Sequence, residues 1–554
     1  MARKTDDTRS LIALIEHSVK EHWNIEALTD YRGATLRYRD VAEGIERIGL
    51  LFEAAGVKRG DKVALCGRNC SEWGVVFLAT LCHGAVSVPI LHDFKADNVH
   101  NIVNHSEAKL LFVGDAVWEN LDEEAMPQVK GIFSLGARSL LAARSSKVEA
   151  AFNGIGKAFA RKFPSGLTPG MVSYRRDEPE ELAVINYTSG TTSFSKGVLL
   201  PYRSLWSNVR FAMDNIALRP GDRHVCILPL AHAFGLMFEF VFEFVVGCHT
   251  YFLTRVPSPK IIFQAYRDVK PNLVITVPLV VEKVVRKGVM PQLAKPAARL
   301  MLKLPVARDL LMKKVRSKLN DLFGGNVLEL VIGGAAMNEE VEGLLNATGF
   351  PYTIGYGMTE CGPLICYSGA AGFRKGSCGR PVERIELKID SEDPGRIPGE
   401  ILVRGENVTT GYYKNKEATE QCAMPGGWFR TGDLATQDSE GNVFIKGRSK
   451  NMILGANGQN IYPEEIEDKF NGMRYVAESV VVGKGGKIVA LVHPDYNEAI
   501  ADGVRPEDMA GIMERNRVAA NALLPRYSQV AEVKIFAEEF EKTPKQSIKR
   551  YLYQ

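Results

Sequence analysis

Between residues 35 and 90 the sequence alternates two kinds of text, and this alternation limits the folds open to the chain more than any other feature. RDVAEGIERIGLLFEAAG (39–56) and SEWGVVFLATLCHG (71–84) carry apolar residues at helical spacing, whereas KVALCG (62–67) and AVSVPI (85–90) are short apolar runs. Strands alternating with helices of this length imply parallel sheet covered on both faces. The rhythm returns at LLFVG (110–114), LAVINYTS (182–189), HVCILPL (224–230), NLVITVP (272–278) and LELVIGG (328–334), so the expected class is α/β. From about Glu383 the texture changes to ERIELKID, GEILVRG and GNVFIKG, separated by Gly, Pro and Asp turns. That pattern predicts a small antiparallel barrel or sheet. A last compact unit is expected over residues 449–554.

Charge and cysteine usage narrow the function classes. The balance of 69 Lys and Arg against 65 Asp and Glu is too even for a dedicated nucleic-acid binder, so no nucleic-acid partner is expected, and small anionic substrates remain compatible. Nine cysteines are scattered without a CxxC pair and read as reduced core thiols. The apolar start, residues 11–15, is far shorter than a signal peptide's core, and the apolar stretch 235–248 carries Glu239 and Glu243 and is too short to cross a bilayer of about 30 Å. A cytoplasmic protein is expected. Residues 286–318 hold ten Lys or Arg and a single acid, Asp309, among apolar residues at roughly helical spacing. Two readings stand: solvated faces of surface helices, or a peripheral contact with the inner face of an anionic membrane or with an acidic carrier protein.

The strongest local signal is Tyr187-Thr-Ser-Gly-Thr-Thr-Ser-Phe-Ser-Lys196-Gly197, directly after an apolar strand. From Thr188 through Ser189, Gly190, Thr191 and Thr192, such a loop presents backbone N–H groups and hydroxyls to phosphate oxygens, and Lys196 adds a point charge. It is not a Walker A loop, because Ser195 precedes the lysine and Gly197 follows it.

This loop resembles the phosphate loop of the adenylate-forming superfamily, which includes acyl-CoA synthetases, firefly luciferase and nonribosomal adenylation domains. GGAAM (333–337) resembles the family's adenine-binding segment, and Gly355-Tyr356-Gly357-Met358-Thr359-Glu360 its nucleotide and magnesium motif. WFRTGD (428–433) resembles its ribose motif, and GRSKNMILGANGQNIYPEEIE (447–467) its interdomain hinge. The five segments follow the family's order from about residue 25 to the C-terminus. The resemblance implies an ATP site that also takes in Gly334, Ala335, Ala336, Asp433, Arg448 and the pivot Lys450, with Mg²⁺ held by Thr188 and Glu360. The chemistry is coherent: a carboxylate attacking the α-phosphate of ATP is one anion approaching another, so the site needs a metal, a cation and fixed donors, among them the Thr359 hydroxyl. Asp433 can accept hydrogen bonds from both ribose hydroxyls, while an isolated Asp in such a turn is more often a local cap.

His232, in LPLAHAFG, falls where the family places an aromatic or imidazole residue at the wall of the acyl pocket; Phe234 and Phe238 follow it. Phe238, Phe242 and Val245, at spacings of four and three, predict one broad apolar helix face, either core or acyl tunnel. LPLAH, TVPLVVEKVVRK and the insertion ending MKKVRSKL resemble the long-chain branch, so a fatty acid is the expected substrate. The implied reaction joins fatty acid and MgATP into acyl-AMP, then passes the acyl group to CoA. The implied architecture is an N-terminal portion, residues 1–447, of two flavodoxin-like α/β subdomains and a small β-barrel. A mobile α+β lid, residues 448–554, would turn about Lys450 and present the loop of Gly455, Gly458, Gln459 and Asn460 to the pantetheine arm of CoA. Dimers are common in that branch.

Four positions depart from the family's pattern: Ser193 replaces a glycine, Ser195 a proline and Asn451 an acid, and Ser547 stands at the C-terminal catalytic lysine. The text there is Lys542-Thr-Pro-Lys-Gln-Ser-Ile-Lys-Arg550. Residues two apart share a face of an extended segment, which makes Lys545 or Lys549 the substitute, Lys545 being preferred because it lies in the loop. A carrier-protein ligase and, because of Ser547, a fatty-acid- or nucleotide-binding relative without turnover remain the alternatives.

Overall fold

The computed structural model describes residues 9–188, 196–255, 258–454, 459–542 and 548–553. Its largest sheet has seven strands, in the spatial order Leu140–Ala143, Gly131–Ser134, Ala108–Val113, Lys62–Cys66, Val86–Ile90, Leu182–Thr188 and Lys196–Pro201. The five inner strands are parallel and the two edges antiparallel. Helices Tyr38–Ala55 and Ser71–His83 stop where glycine takes over: Gly56 and Gly84 adopt φ of 71° and 80°, left-handed values that carry no Cβ penalty only in glycine.

A second layered region joins Arg223–Cys226, His249–Phe252, Glu26–Asp30 and Thr35–Arg37, beside a parallel sheet of Leu273–Thr276, Glu329–Ile332 and Tyr352–Ile354. The strand Glu26–Asp30 lies parallel to His249–Phe252, with Leu28 opposite Thr250. Trp73, Phe77, Phe240 and Phe244 fill the core between these layers. The expected antiparallel unit is a five-stranded sheet, Ile385–Asp390, Gly399–Gly405, Trp428–Gln437 and Ala423–Met424, with Val443–Arg448 added on Trp428–Gln437. The α/β class read from the sequence therefore holds.

The last unit packs helices Pro463–Asn471 and Met509–Ala522 on the strands Val476–Lys484, Lys487–Pro494 and Glu532–Ile535. Its cores around Phe470 and Phe540 draw, among the described residues, only on residues 453–553. Polar contacts tie it to the rest: Lys469 pairs with Glu339, Asn338 Nδ2 donates to Asp468 Oδ1 (3.2 Å), and Lys446 Nζ lies 3.2 Å from Glu465 Oε1.

Two expectations are corrected. The run 224–230 is strand only as far as Cys226, because the N–H groups of Ile227 and Leu228 donate to Glu239 Oε1 (3.2 Å) and Oε2 (2.7 Å) instead of to a neighbouring strand. The single apolar face through Phe238, Phe242 and Val245 does not exist as such. Met237–Val241 is a π-helical turn, which breaks the α-helical phase, and Phe240 and Phe244 are as deeply buried as Phe238 and Phe242. Among the described residues no helix is long and apolar enough to cross a membrane.

Candidate functional site

Strand ends bring the motif residues together. Thr188 closes Leu182–Thr188 and pairs in register with Lys196, its hydroxyl donating to the Lys196 carbonyl (3.4 Å), so the two ends of the hydroxyl-rich loop are held side by side. Ser189, Gly190, Thr191 and Thr192 lie outside the described residues. The Lys196 ammonium sits 5.3 Å from the centre of the Tyr412 ring, within cation–π range, and the Tyr412 hydroxyl donates to Glu360 Oε1 (2.8 Å). Glu360 belongs to the short turn Thr359–Cys361, anchored by the Thr409 N–H donating to the Glu360 carbonyl (2.7 Å). Thr359 shares that turn, and both are half-buried.

Four residues earlier in the same segment, the Tyr356 hydroxyl donates to Asp433 Oδ2 (2.7 Å). Arg448 Nε donates to the other oxygen, Oδ1 (3.0 Å), from the strand position directly opposite Asp433. Burial and then the Asp433 charge push the Tyr356 phenol up, so it stays a donor. The Asp433 carboxylate is thus aimed by two side chains from other segments rather than folded back as a local turn cap. Gly432, at φ 73°, has nothing within 4 Å of where a Cβ would lie, so a ligand can approach there. Gly357 is the opposite case: a Cβ would stand 2.2 Å from the Pro363 carbonyl oxygen.

Gly334, Ala335 and Ala336 are exposed just beyond the strand Glu329–Ile332, and the Gly355 N–H donates to the Ile332 carbonyl (2.9 Å), which sets the two segments side by side. Phe234 packs against Gly333, where a Cβ would lie 3.0 Å from its ring, and meets Phe238 edge-on with centroids 6.1 Å apart. In open α/β sheets the region outside the carboxyl ends of the strands, where these exposed small residues lie, is where ligands bind.

Residues 15–413 match the family of AMP-binding enzymes. The chain belongs to that family. It is 29% identical over 513 residues to the long-chain-fatty-acid–CoA ligase FadD15 of Mycobacterium bovis, covering 87% of this chain and 79% of that protein. It is 26% identical over 577 residues to the long-chain-fatty-acid–[acyl-carrier-protein] ligase AEE15 of Arabidopsis thaliana, covering 90% and 78%. The solved structure of the anthranilate CoA ligase AuaEII with anthranoyl-AMP superposes with a TM-score of 0.77 at 21% identity, over 98% of this chain and 96% of that one.

In this AMP-binding enzyme, His232 is half-buried at the head of the helix Ala233–Leu236, on a loop whose backbone is fixed from three sides. Asn69 donates to the Leu228 carbonyl (2.7 Å) and accepts from the Leu230 N–H (2.9 Å). Asn186 donates to the Ala231 carbonyl (2.9 Å), and Glu239 takes the N–H groups of Ile227 and Leu228. Behind Glu239 lies a charged cluster that sequence reading missed. His224 is buried with its Nε2 3.5 Å from Glu239 Oε1 and its Nδ1 3.0 Å from Glu243 Oε1. Burial opposes a charged imidazole, but the two carboxylates outweigh it and raise the His224 pKa to about 10.

The remaining expected positions belong to residues 450–549. Lys450 is exposed in the turn Ser449–Asn451, and Asn460 is exposed where it pairs with Leu454. Gln459 is likewise exposed, and Gly455 and Gly458 lie outside the described residues. So do Lys545 and Ser547. Lys549 is turned to its own unit, 3.1 Å from Glu541 Oε2.

One test concerns the ribose pole. Tyr356→Phe is expected to raise KM for ATP about two- to tenfold with a smaller change in kcat, the range for one removed hydrogen bond. Steady-state kinetics at varied ATP would show it. An unchanged KM would remove Tyr356 from nucleotide binding.

Proposed function

We propose that the protein is an AMP-forming ligase that activates fatty acids with ATP and transfers the acyl group to CoA. The observation that carries this reading is the double engagement of one short segment. Tyr356 orients Asp433, the acceptor for ribose hydroxyls, while Glu360 joins Tyr412 and Lys196 at the mouth of the phosphate loop. A nucleotide laid along residues 355–360 would have its sugar at one end and its phosphates at the other, with its base against residues 334–336.

Magnesium fits the phosphate end. Mg²⁺ is commonly bound by one or two carboxylates together with substrate phosphates, and Glu360 with the Thr188 hydroxyl forms such a partial set. When bound, the ion neutralises charge on the phosphates. Lys196 adds its charge there, Thr359 donates to the α-phosphate, and His232 and Phe234 flank the acid. A carboxylate oxygen of the acid attacks the α-phosphorus, and the bond to pyrophosphate breaks. The CoA thiolate then attacks the acyl carbonyl, and the bond to AMP breaks. Between the steps the unit 448–554 turns about Lys450 and brings Gln459 and Asn460 to the pantetheine arm; its contacts with the N-terminal portion, Lys469 to Glu339 and Asn338 to Asp468, are polar, the kind of interface that relative motion needs.

The fatty acid is supported by the long-chain-fatty-acid ligases among the relatives. AEE15 supports a second acceptor, an acyl carrier protein. The deciding experiment is AMP release from MgATP across short- to long-chain fatty acids, each with and without CoA. AMP that rises with one range of chain lengths and with CoA is expected. Turnover supported by carrier protein and not by CoA would replace the acceptor, and no AMP with any acid would overturn the reading.

The lysine in place of the usual catalytic one is tested separately. Lys545→Ala is expected to slow pyrophosphate formation about a hundredfold, in line with loss of a charge that acts on the transition state, while Lys549→Ala, already paired with Glu541, has little effect. Equal rates in both variants and the parent would mean that neither lysine serves adenylation.

A further inference from the structure

Helices Pro296–Leu302 and Pro305–Leu322 form a pair whose chemistry the ligase reading leaves unused. The second helix is fastened by Met312, Val315 and Leu319, the last two packed into the core around Tyr266 and Phe323. Residues 295–310 behave differently: Ala298 is the one buried side chain among them. Leu300, Leu302, Leu304, Val306 and Leu310 are all exposed there, Leu300 by 63% and Val306 by 76%. Lys295, Arg299, Lys303 and Arg308 stand between them, also exposed. Lys313 and Lys314 continue the charge on the outer side of the longer helix. Among the described residues, the ten cations of 286–318 have one carboxylate within 4 Å, Asp309 at 3.9 Å from Arg308.

Exposed leucines and unpaired cations make opposite demands on a covering partner. Water satisfies the cations but not five large apolar side chains within eleven residues. An acidic protein could neutralise the charge, but it would need pockets matched to leucines that alternate with lysines instead of clustering. A bilayer with anionic headgroups meets both demands without shape matching, because apolar side chains enter the boundary with the acyl chains while Lys and Arg reach back to phosphates.

We propose that the tip formed by residues 295–310 docks the protein on an anionic lipid surface. The segment 277–328 leaves the three-stranded parallel sheet after Leu273–Thr276 and returns to it at Glu329–Ile332, the strand that leads into Gly334, Ala335 and Ala336. Docking there would hold that sheet close to a membrane, a source of the apolar acid if the ligase reading is right. The docking itself does not depend on that reading.

The experiment is flotation of the full-length protein with vesicles of phosphatidylcholine containing one third phosphatidylglycerol, against vesicles of phosphatidylcholine alone. Partition at least about tenfold stronger on the anionic vesicles is expected, weakening as salt rises from about 0.1 M to about 0.5 M. Leu302→Asp with Val306→Asp, and separately Lys303→Glu with Arg308→Glu, should each reduce it about tenfold or more while circular dichroism stays that of the parent. No partition, equal partition on both vesicles, or variants that bind like the parent would overturn the proposal. So would saturable binding to an acidic carrier protein, blocked by the same variants, without binding to vesicles. Because partition is read without turnover, a failed AMP-release assay would leave this result standing.

Discussion

Glu360→Gln is expected to lower magnesium-dependent acyl-AMP formation by two to three orders of magnitude, roughly the effect of removing one electrostatic contact aimed at transition-state charge, and to leave the melting temperature nearly unchanged. The side chain is half-buried on the turn Thr359–Cys361 and accepts a hydrogen bond from the Tyr412 hydroxyl. Glutamine keeps the length of the side chain and an oxygen that can accept from the Tyr412 hydroxyl, so the local packing survives. What it loses is the negative charge that a divalent cation requires. The reading is pyrophosphate release at rising Mg²⁺, with Tyr412→Phe as the partner variant. That change leaves the carboxylate in place but frees it to turn, so a loss of about tenfold or less is expected, recovered in part by more magnesium. Near-normal rates in Glu360→Gln at every magnesium concentration would remove Glu360 from the metal site.

The apolar runs at 62–66, 86–90, 108–113 and 182–188 became neighbouring strands because a strand buried on both faces has little choice of composition, and the signal is local. Gly56 and Gly84 end their helices for an equally local reason. The pairing of Glu26–Asp30 with His249–Phe252 has no such signature: Leu28 meets Thr250 across more than two hundred residues, and nothing in either pentapeptide or tetrapeptide names its partner. The site divides in the same way. Asp433, Tyr356 and Glu360 are legible because each lies in an ordered motif, but Tyr412, which donates to Glu360 and lies near Lys196, belongs to none of them and reaches the site through an isolated bridge to Val198, more than two hundred residues away. In the sequence, Glu239 and Glu243 read only as charges that make residues 235–248 unfit for a membrane. Their partner His224 lies on another element, and the π-helical turn that aims Glu239 back at Ile227 and Leu228 is invisible to a reading that assumes 3.6 residues per turn.

That buried cluster supports the second large effect, because it fixes the loop on which His232 is carried. Glu239→Ala would strip the acceptors from the Ile227 and Leu228 N–H groups and take one of two carboxylates from an imidazolium buried away from solvent. Breaking a buried pair from one side typically destabilises by about 3–5 kcal/mol, so a drop of many degrees in melting temperature is expected, along with faster amide exchange at Ile227 and Leu228. The charge state gives an independent check in the parent protein. His224 has a folded pKa of about 10 against an ordinary value of 6.5, so the folded state binds the proton more tightly. Its contribution to stability is complete below pH 6.5 and is lost as pH rises toward 10, by at most about 1.4 kcal/mol per pH unit. His224→Gln removes that slope and should flatten the difference between the two proteins' melting temperatures above pH 10 relative to pH 7. If stability did not fall between pH 7 and 9.5 any more steeply in the parent than in His224→Gln, the imidazole would be neutral, and Glu239 would hold the loop through its two backbone hydrogen bonds alone.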